Sequence, residues 1–373
     1  MLRVVASARK LHWFAKLVLV GLILSGLWVG VGYLMPKILP TKNFSNTFRW
    51  GLIIRSERWS GDIKVVGDIW ALPGTSVTLE PGTRVFVGKS RDRSNMDFLP
   101  WHSKSGVNTA SEDHGVRVGE PFWDESSKIQ IHFARLVAIG TKQQPIVIQS
   151  DTLGRGSPYD FNVLSLTKGI IANAKLSNYR RLEVGADVTI RDSMIRDTGE
   201  CAICIGFDDP TLTGNTFENS LREYIWIEGG SPKISGNTFR ASSGLGIVVD
   251  PKEISAPRIY QNDFEMNGVA IKFLSGSEEV GGVVSNNLFA GGSEIEIPCD
   301  SQIKIILNII KGRIKLTKSG NCVGSLTLGP NYWELMDVSA ILNARVVGKE
   351  KNFKVLIPSV LKNPPETTTS ASH

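Results

Sequence analysis

A six-residue pattern recurs through the second half of the chain: an apolar residue, two residues, asparagine, one residue and a bulky apolar residue. A degenerate copy has Ser193 at the asparagine position, and the full copies are anchored at Asn215, Asn237, Asn262, Asn287, Asn308 and Asn331. From Ser193 the anchors are spaced 22, 22, 25, 25, 21 and 23 residues apart. A period in the low twenties is typical of a solenoid, in which each repeat adds one coil.

Short segments rich in Val, Ile and Thr lie between the anchors and alternate with period two, as in Thr211-Leu212-Thr213. This composition favours strands over helices. Proline stands five residues before three anchors and places turns at the same point of each coil: Pro210, Pro232 and Pro257. The sequence therefore predicts an all-β parallel β-helix, with each strand pairing one coil away, about 4.8 Å along the axis.

The anchors are expected to form a structural ladder. An inward Asn at a turn can hydrogen-bond its own turn backbone and the amide of the next Asn, which satisfies buried polar groups along the stack. The alternative is a line of ligand-binding amides. We favour the ladder because the bulky apolar residue two positions later, such as Phe217 or Trp333, places each anchor beside the core.

Three further motifs stand out: Val77-Thr78-Leu79-Glu80-Pro81-Gly82-Thr83, Leu136 to Thr141 with Gln144 to Ser150, and Asn331-Tyr332-Trp333 with its continuation to Pro365. In these segments the chain resembles right-handed parallel β-helix repeat proteins of the pectin-lyase-like superfamily. The resemblance covers roughly residues 61–365 and implies a right-handed β-helix. Such coils occur in lyases, hydrolases, surface-layer components and binding proteins, so no single activity is implied.

The N-terminus is a separate segment. Leu17 to Met35 holds nineteen residues without a charge, long enough to span a bilayer as a helix. Four basic residues precede it, and no acidic residue appears before Glu57. This bias predicts a single-pass signal anchor with the rest of the chain on the extracytoplasmic side. A cleaved signal peptide, which would give a secreted protein, is the alternative.

The basic balance of the chain comes from this segment. Residues 1–42 carry six of the 42 Lys and Arg residues and none of the 36 Asp and Glu residues, which leaves 36 of each in the remainder. A neutral remainder provides no general attraction for nucleic acid. We therefore expect membrane contact through residues 17–35, a polysaccharide or surface protein as partner, and no nucleic acid.

The predicted organisation has four parts. Residues 1–42 are the cytoplasmic stub and anchor, and residues 43–60 are a membrane-proximal connector or cap. Residues 61–362 are the β-helix, with an insertion at 88–128, and residues 363–373 are a mobile tail rich in Pro, Thr and Ser.

The four cysteines fall into two pairs. Cys299 and Cys322 each lie nine residues before an anchor, so they are expected on adjacent coils, where a disulfide is possible by distance; two buried thiols are the alternative. Cys201 and Cys204 form a CxxC motif. In an extended strand they would point to opposite faces, so we expect packed core thiols, and one zinc site made of all four cysteines is excluded by distance.

Acidic residues form the first candidate site. Asp208 and Asp209 follow one strand, Glu228 follows the next and Asp250 the one after. Glu228 and Asp250 each lie thirteen residues past an anchor, which predicts neighbours on one face. Close carboxylates can bind Ca²⁺ or act as acid and base in glycosidic cleavage, while solvated turn carboxylates are the simpler interpretation. We expect no other cofactor and no metal site beyond this Ca²⁺ possibility.

Basic and aromatic residues form two further candidates. Lys233, Arg258 and Lys304 each precede an anchor by four residues and could serve a lyase, or form a plain solvent face. The insertion carries residues that can stack on sugar rings or transfer protons: Trp101, His102, His114 and Trp123. The paired Asp and His-Gly order of polygalacturonases is absent, because His114-Gly115 precedes Asp208-Asp209.

The sequence favours a membrane-anchored extracytoplasmic β-helix that binds envelope polysaccharide or a surface partner, or that serves as a rigid surface element. The alternative is a polysaccharide lyase or glycoside hydrolase.

Overall fold

The computed structural model describes residues 47–88, 129–150, 161–240, 244–252, 254–266, 268–275, 281–299, 301–317, 324–348 and 353–365. The expected anchor and the insertion beyond Gly88 lie outside these ranges, as does the tail from Glu366. Within the described ranges no helix has the length and apolar character needed to cross a bilayer.

The described residues form short strands joined by turns. The strands are β1 (Phe48–Ile53), β2 (Glu57–Trp59), β3 (Asp62–Ala71), β4 (Val77–Leu79), β5 (Arg84–Val87), β6 (Ile129–Ile139), β7 (Ile146–Ser150), β8 (Phe161–Ala172), β9 (Ala174–Tyr179), β10 (Arg181–Arg191), β11 (Met194–Thr198), β12 (Ile203–Ile205), β13 (Thr211–Thr213), β14 (Thr216–Ser220), β15 (Glu223–Ile227), β16 (Lys233–Ser235), β17 (Thr238–Arg240), β18 (Leu245–Val249), β19 (Arg258–Tyr260), β20 (Asp263–Glu265), β21 (Gly268–Phe273), β22 (Val283–Ser285), β23 (Leu288–Phe289), β24 (Ser293–Pro298), β25 (Lys304–Ile306), β26 (Ile309–Ile310), β27 (Arg313–Thr317), β28 (Gly324–Thr327), β29 (Val346–Val347) and β30 (Phe353–Leu356). One helix, α1 (Val338–Ala344), lies between β28 and β29.

Parallel pairing between successive coils builds three faces. Face 1 contains β13, β16, β19, β22 and β25. Face 2 contains β11, β14, β17, β20, β23 and β26. Face 3 contains β12, β15, β18, β21, β24 and β27. The longer strands β8 and β10 run from face 3 into face 1, which extends both faces toward the N-terminus.

The core runs along the axis as columns of equivalent side chains. Four phenylalanines stack face to face, with ring centroids 4.7 to 4.9 Å apart and planes within 6° of each other: Phe217, Phe239, Phe264 and Phe289. Isoleucine, leucine and valine form parallel columns on the strands of faces 1 and 3. Because identical positions meet one coil apart, the repeat in the sequence becomes a repeat in the packing.

The anchors lie buried in one column at the turn between faces 1 and 2. The backbone N–H of Asn215 donates to Oδ1 of Asn237, 2.9 Å away, and Nδ2 of Asn215 donates to the same oxygen at 3.0 Å. The other hydrogen of Nδ2 reaches the carbonyl of Ile190, one coil back. The same pattern repeats up to Asn331.

Two features of the N-terminal half differ from the sequence expectation. Strand pairing begins at Phe48 rather than near Gly61, because β1 and β2 pair with β3 and β4 as a further coil. The expectation of packed thiols at the CxxC motif is wrong: Cys201 and Cys204 form a disulfide with Cα atoms 5.5 Å apart. β12 begins only at Ile203, so Cys201 lies in the turn before the strand and its side chain can reach Cys204.

Candidate functional site

The outer side of face 1 carries a row of cations, one residue per strand. Lys233 on β16 lies in register with Arg258 on β19, and Arg258 with Val283, which is followed by Lys304 on β25. In parallel strands, side chains at paired positions point to the same side, and neighbouring rungs are about 4.8 Å apart. We call Lys233, Arg258, Tyr260 and Lys304 the basic strip.

Among the described residues of face 1, no carboxylate opposes the basic strip. The five face 1 strands from Thr211 to Ile306 contain no Asp or Glu, and their other outward residues are mostly Ser and Thr. All three cations are exposed. Among the described residues, none of them has a carboxylate within ion-pair distance. The strip therefore presents uncompensated positive charge to solvent.

Cations on the other two faces are arranged differently. Arg240 on face 2 lies between Glu218 and Glu265, with N–O distances of 3.0 and 3.3 Å. Lys315 on face 3 binds Glu296 at 2.6 Å. These ion pairs link neighbouring coils and neutralise the charges of Arg240 and Lys315 locally, whereas the cations of the basic strip have no such pairs among the described residues.

Tyr260 adds an aromatic ring to the strip. The ammonium nitrogen of Lys233 lies 5.8 Å from its ring centroid, a cation–π distance. Partial burial disfavours the phenolate, but hydrogen bonds to Ser235 and Lys233, together with the charges of Lys233 and Arg258, outweigh it and lower the pKa of Tyr260. The charges of Lys233 and Arg258 that contribute to this lowered pKa also make the surface around Tyr260 positive.

The acidic candidates separate into two groups. Glu228 and Asp250 follow paired positions of β15 and β18, because Ile227 is in register with Val249, and both are buried. Burial raises the pKa of Glu228 to about 7; a hydrogen bond from Trp226 opposes the shift, and the Asp250 charge adds to it. Asp250 also binds Lys252 at 2.8 Å.

Asp208 and Asp209 lie farther along their turn. Gly230, on the next coil, lies against the backbone carbonyl of Asp208. Asp208 therefore aligns with Gly230, two residues after Glu228, and does not lie beside Glu228. Burial and the neighbouring Asp209 charge raise the pKa of Asp208. A side-chain oxygen of Asp209 accepts a hydrogen bond from the backbone N–H of Ser231, which gives this carboxylate a role in the turn.

Several of the remaining candidates from the sequence lie outside the residues that the structure describes. Trp101, His102, His114 and Trp123 fall outside the described residues, as does Cys322. Cys299 is buried and engaged in a disulfide; its pairing with Cys322 stays a prediction. In the described part of the chain no cluster of three or more His, Cys, Asp or Glu residues could hold a metal ion.

Sequence reasoning missed the contribution of Tyr260 and of Trp226. Tyr260 follows Arg258 by two residues, so period-two alternation alone places both on one side of β19. Once β19 is assigned as a strand, this alternation is enough to predict that Tyr260 lies beside Arg258. Trp226 is only 5 % exposed although it points outward from face 3, and nothing in the local sequence indicates that an outward position is covered.

Residues 181–323 match a family model described as a right handed beta helix region. No curated protein and no solved structure matches the chain. The matched residues include the coils that carry the basic strip and the Glu228–Asp250 pair. Given the parallel strand pairing and the columns of equivalent residues, the chain is a right-handed parallel β-helix protein, and its coils are consistent with the pectin-lyase-like superfamily.

Proposed function

We propose that this protein is a membrane-anchored, extracytoplasmic β-helix that binds an acidic envelope polysaccharide along face 1. The observation that carries the proposal is the basic strip, where three exposed cations lie on strands that, as far as the structure describes them, carry no carboxylate. A rod of stacked coils holds these charges at fixed intervals, so an extended polyanion meets them without the entropy loss of ordering the protein.

The chemistry of the strip suits a glycan that bears carboxylate or sulfate groups. Lys and Arg supply charge-assisted hydrogen bonds to such groups. Tyr260 offers an aromatic face to a sugar ring, and the Ser and Thr hydroxyls of neighbouring strands can donate to and accept from sugar hydroxyls. Exposed charges interact weakly one by one, so several must act together along the ligand.

Retention of the full chain on immobilised acidic and neutral polysaccharides tests the proposal. We expect retention on acidic polymers that falls as salt rises, because salt screens exposed charges. The variant Lys233→Gln/Arg258→Gln/Lys304→Gln is expected to lose at least about tenfold in affinity. Each exposed ion pair with the ligand contributes about a few tenths to one kcal/mol of binding free energy, and three are removed.

The control is Lys64→Gln/Lys175→Gln, which removes two exposed cations from β3 and β9, strands that pair through β5 and β7 with each other and with β11 of face 2. Equal losses per removed charge in the two variants would show attraction by net charge alone and would contradict a site on face 1. Absence of retention on every acidic polymer would favour a protein partner or a rigid structural role.

Membrane attachment is tested separately. The full chain is expected to stay with membranes after an alkaline wash and to leave them when residues 1–35 are removed. The β-helix is expected to be accessible to protease only from the extracytoplasmic side. Release of the full chain by the wash would argue for a cleaved signal peptide or for another attachment.

An enzyme is the second candidate, and one observation favours it. The Glu228 carboxyl, with a pKa raised to about 7 beside Asp250, holds a proton near neutral pH, as a general acid must. Incubation with acidic polysaccharides, with Ca²⁺ and with chelator, should then give reducing ends or an unsaturated product. Activity lost in both Glu228→Gln and Asp250→Asn would establish the enzyme; no product would leave binding as the function.

A further inference from the structure

The Cys201–Cys204 disulfide has surroundings that a purely structural cross-link does not need. The bond joins residues only three apart in sequence, so it closes a very short loop. A disulfide stabilises the fold mainly by closing long loops of the unfolded chain. Rung hydrogen bonds already hold this coil to both neighbours, for example from Ala202 N–H to the carbonyl of Glu223. The cross-link therefore adds little to a coil that is fixed without it.

The two sulfurs occupy different environments. Cys204 is fully buried, and with Cys201, Trp226 and Val248 it forms a small apolar cluster on the outer side of face 3. Cys201 lies in the turn before β12 and is 6 % exposed. An attacking thiol therefore reaches Cys201 more readily, and Cys204 becomes the leaving sulfur. A buried thiolate is costly in apolar surroundings, so Cys204 can leave only if a proton reaches it.

A carboxyl group stands next to that leaving sulfur. Glu183 on β10 is the rung partner of Cys204 on β12, so the two side chains point to the same side about one strand spacing apart. Glu183 is buried, 3.1 Å from Nε of Arg181. Burial raises the pKa of this carboxyl, opposed by the Arg181 charge and increased by the Glu200 charge. The position fits a proton donor.

We propose that Cys201–Cys204 is an exchangeable disulfide, which reacts with dithiols of a protein or small molecule, with Glu183 as proton donor to Cys204. A partner thiolate attacks Sγ of Cys201; the S–S bond breaks, and its electron pair leaves on Sγ of Cys204, which takes the Glu183 proton. The second partner thiolate then attacks the partner sulfur of the mixed disulfide and releases Cys201. The partner is oxidised to a disulfide, the two cysteines are reduced, and Glu183 regains its proton from solvent.

Native reduction of the full chain by dithiothreitol tests the proposal, with free thiols trapped by alkylation and located by peptide mass. We expect Cys201 and Cys204 to be reduced and reoxidised reversibly while the far-ultraviolet circular dichroism of the β-helix is unchanged. Reduction that requires denaturant, or that abolishes the β-sheet signal, would overturn the proposal and leave a structural cross-link.

The pH profile tests the role of Glu183. Because its folded pKa is raised, the carboxyl donates a proton below that pKa and loses this ability as pH rises through it. The rate normalised to dithiothreitol thiolate is expected to fall across that range. Glu183→Gln should be slower by at least about tenfold at low pH, with a flat profile. The control Glu296→Gln removes a buried carboxyl farther along face 3 and should keep the wild-type profile.

Single-cysteine variants test the proposal independently of Glu183. With Cys204→Ser, the remaining Cys201 should form a mixed disulfide with oxidised glutathione in the native protein. With Cys201→Ser, the buried Cys204 should react much more slowly. Equal reactivity, or no reaction of Cys201, would refute the assigned order of attack even if Glu183→Gln fails to fold.

Discussion

The side chain of Asn237 uses all of its hydrogen-bonding capacity inside the core. Oδ1 accepts from the backbone N–H and from Nδ2 of Asn215, and Nδ2 donates to the carbonyl of Leu212 and to Oδ1 of Asn262. Aspartate lacks the donors, and serine, which at Ser193 accepts from the N–H of Ala174 one coil back, has only one donor where asparagine has two. This explains why the turn can be buried, since each buried polar group needs a partner.

Replacing Asn237 with Ala tests the ladder at one rung. The change leaves the Asn215 N–H and the Leu212 carbonyl buried without their partners, so we expect about 2 to 4 kcal/mol of lost stability. Thermal and denaturant unfolding measure it. Thr211→Ala, on the outer side of face 1, is the control and should change stability by less than about 0.5 kcal/mol.

Glu228 makes stability depend on pH. Its pKa rises from 4.5 to about 7 on folding, so the folded state binds the proton more tightly. The contribution is fully present below pH 4.5 and is lost as pH rises toward about 7, by at most about 3 kcal/mol. Glu228→Gln should therefore gain stability relative to wild type as pH increases over this window.

Unfolding curves of both proteins at about pH 4 and about pH 8 measure the difference. The variant Glu80→Gln, at a half-exposed carboxylate that pairs with Arg58, should show no such gain. A Glu228→Gln protein whose stability difference from wild type is the same at both pH values would contradict a raised pKa.

The turn before each anchor requires a left-handed backbone at one residue. Gly214 and Gly236 supply it with φ of 66° and 63°, Asn286 follows with 54°, and Leu307 adopts 58°. A branched apolar side chain is disfavoured there, whereas glycine and asparagine tolerate the conformation. The sequence predicts the position of this turn but not its backbone angle, because Leu307 carries no turn signal.

Exchanges at this turn have opposite expected signs. Leu307→Asn copies the residue of the preceding coil and should stabilise the protein by about 0.5 to 1 kcal/mol. Gly236→Ala should destabilise it by about 1 kcal/mol, since an added Cβ would meet nothing closer than 3.7 Å and the loss comes from φ. Denaturant midpoints of the two variants measure both effects. Destabilisation by Leu307→Asn would show that packing of Leu307 outweighs its backbone strain.

Coil addition makes the molecule nearly one-dimensional, because each coil contacts chiefly the coils before and after it. Excising residues 215–236 removes one complete repeat and joins Gly214 to Asn237, which keeps the turn pattern. We expect a folded β-helix with an unchanged type of circular dichroism spectrum and a modestly lower melting temperature. Excising only residues 226–236 shifts the register of every later coil and should abolish cooperative unfolding.

The repeat of Asn and Phe residues was sufficient to predict the solenoid, because inward positions must match from coil to coil. Outward positions obey no such rule, so the sequence placed Lys233, Arg258 and Lys304 in one row but did not reveal that carboxylates are missing around them. The prediction of packed thiols at Cys201 and Cys204 is wrong, because it treats both as part of one extended strand, whereas β12 begins after Cys201 and the two form a disulfide. Glu228 and Asp250 were placed as neighbours, while their burial depends on packing from other coils.

The hydrogen bonds from one anchor to another all run one way. Each anchor donates its backbone N–H to the side chain of the next anchor toward the C-terminus, so the N–H of Asn308 depends on Asn331 and the N–H of Asn287 on Asn308. During synthesis, the anchor N–H of the newest coil therefore lacks its acceptor until another twenty or so residues arrive. Completion of the column is therefore vectorial, and at Asn331, where the column ends, the backbone carbonyl accepts a hydrogen bond from the N–H of Leu361.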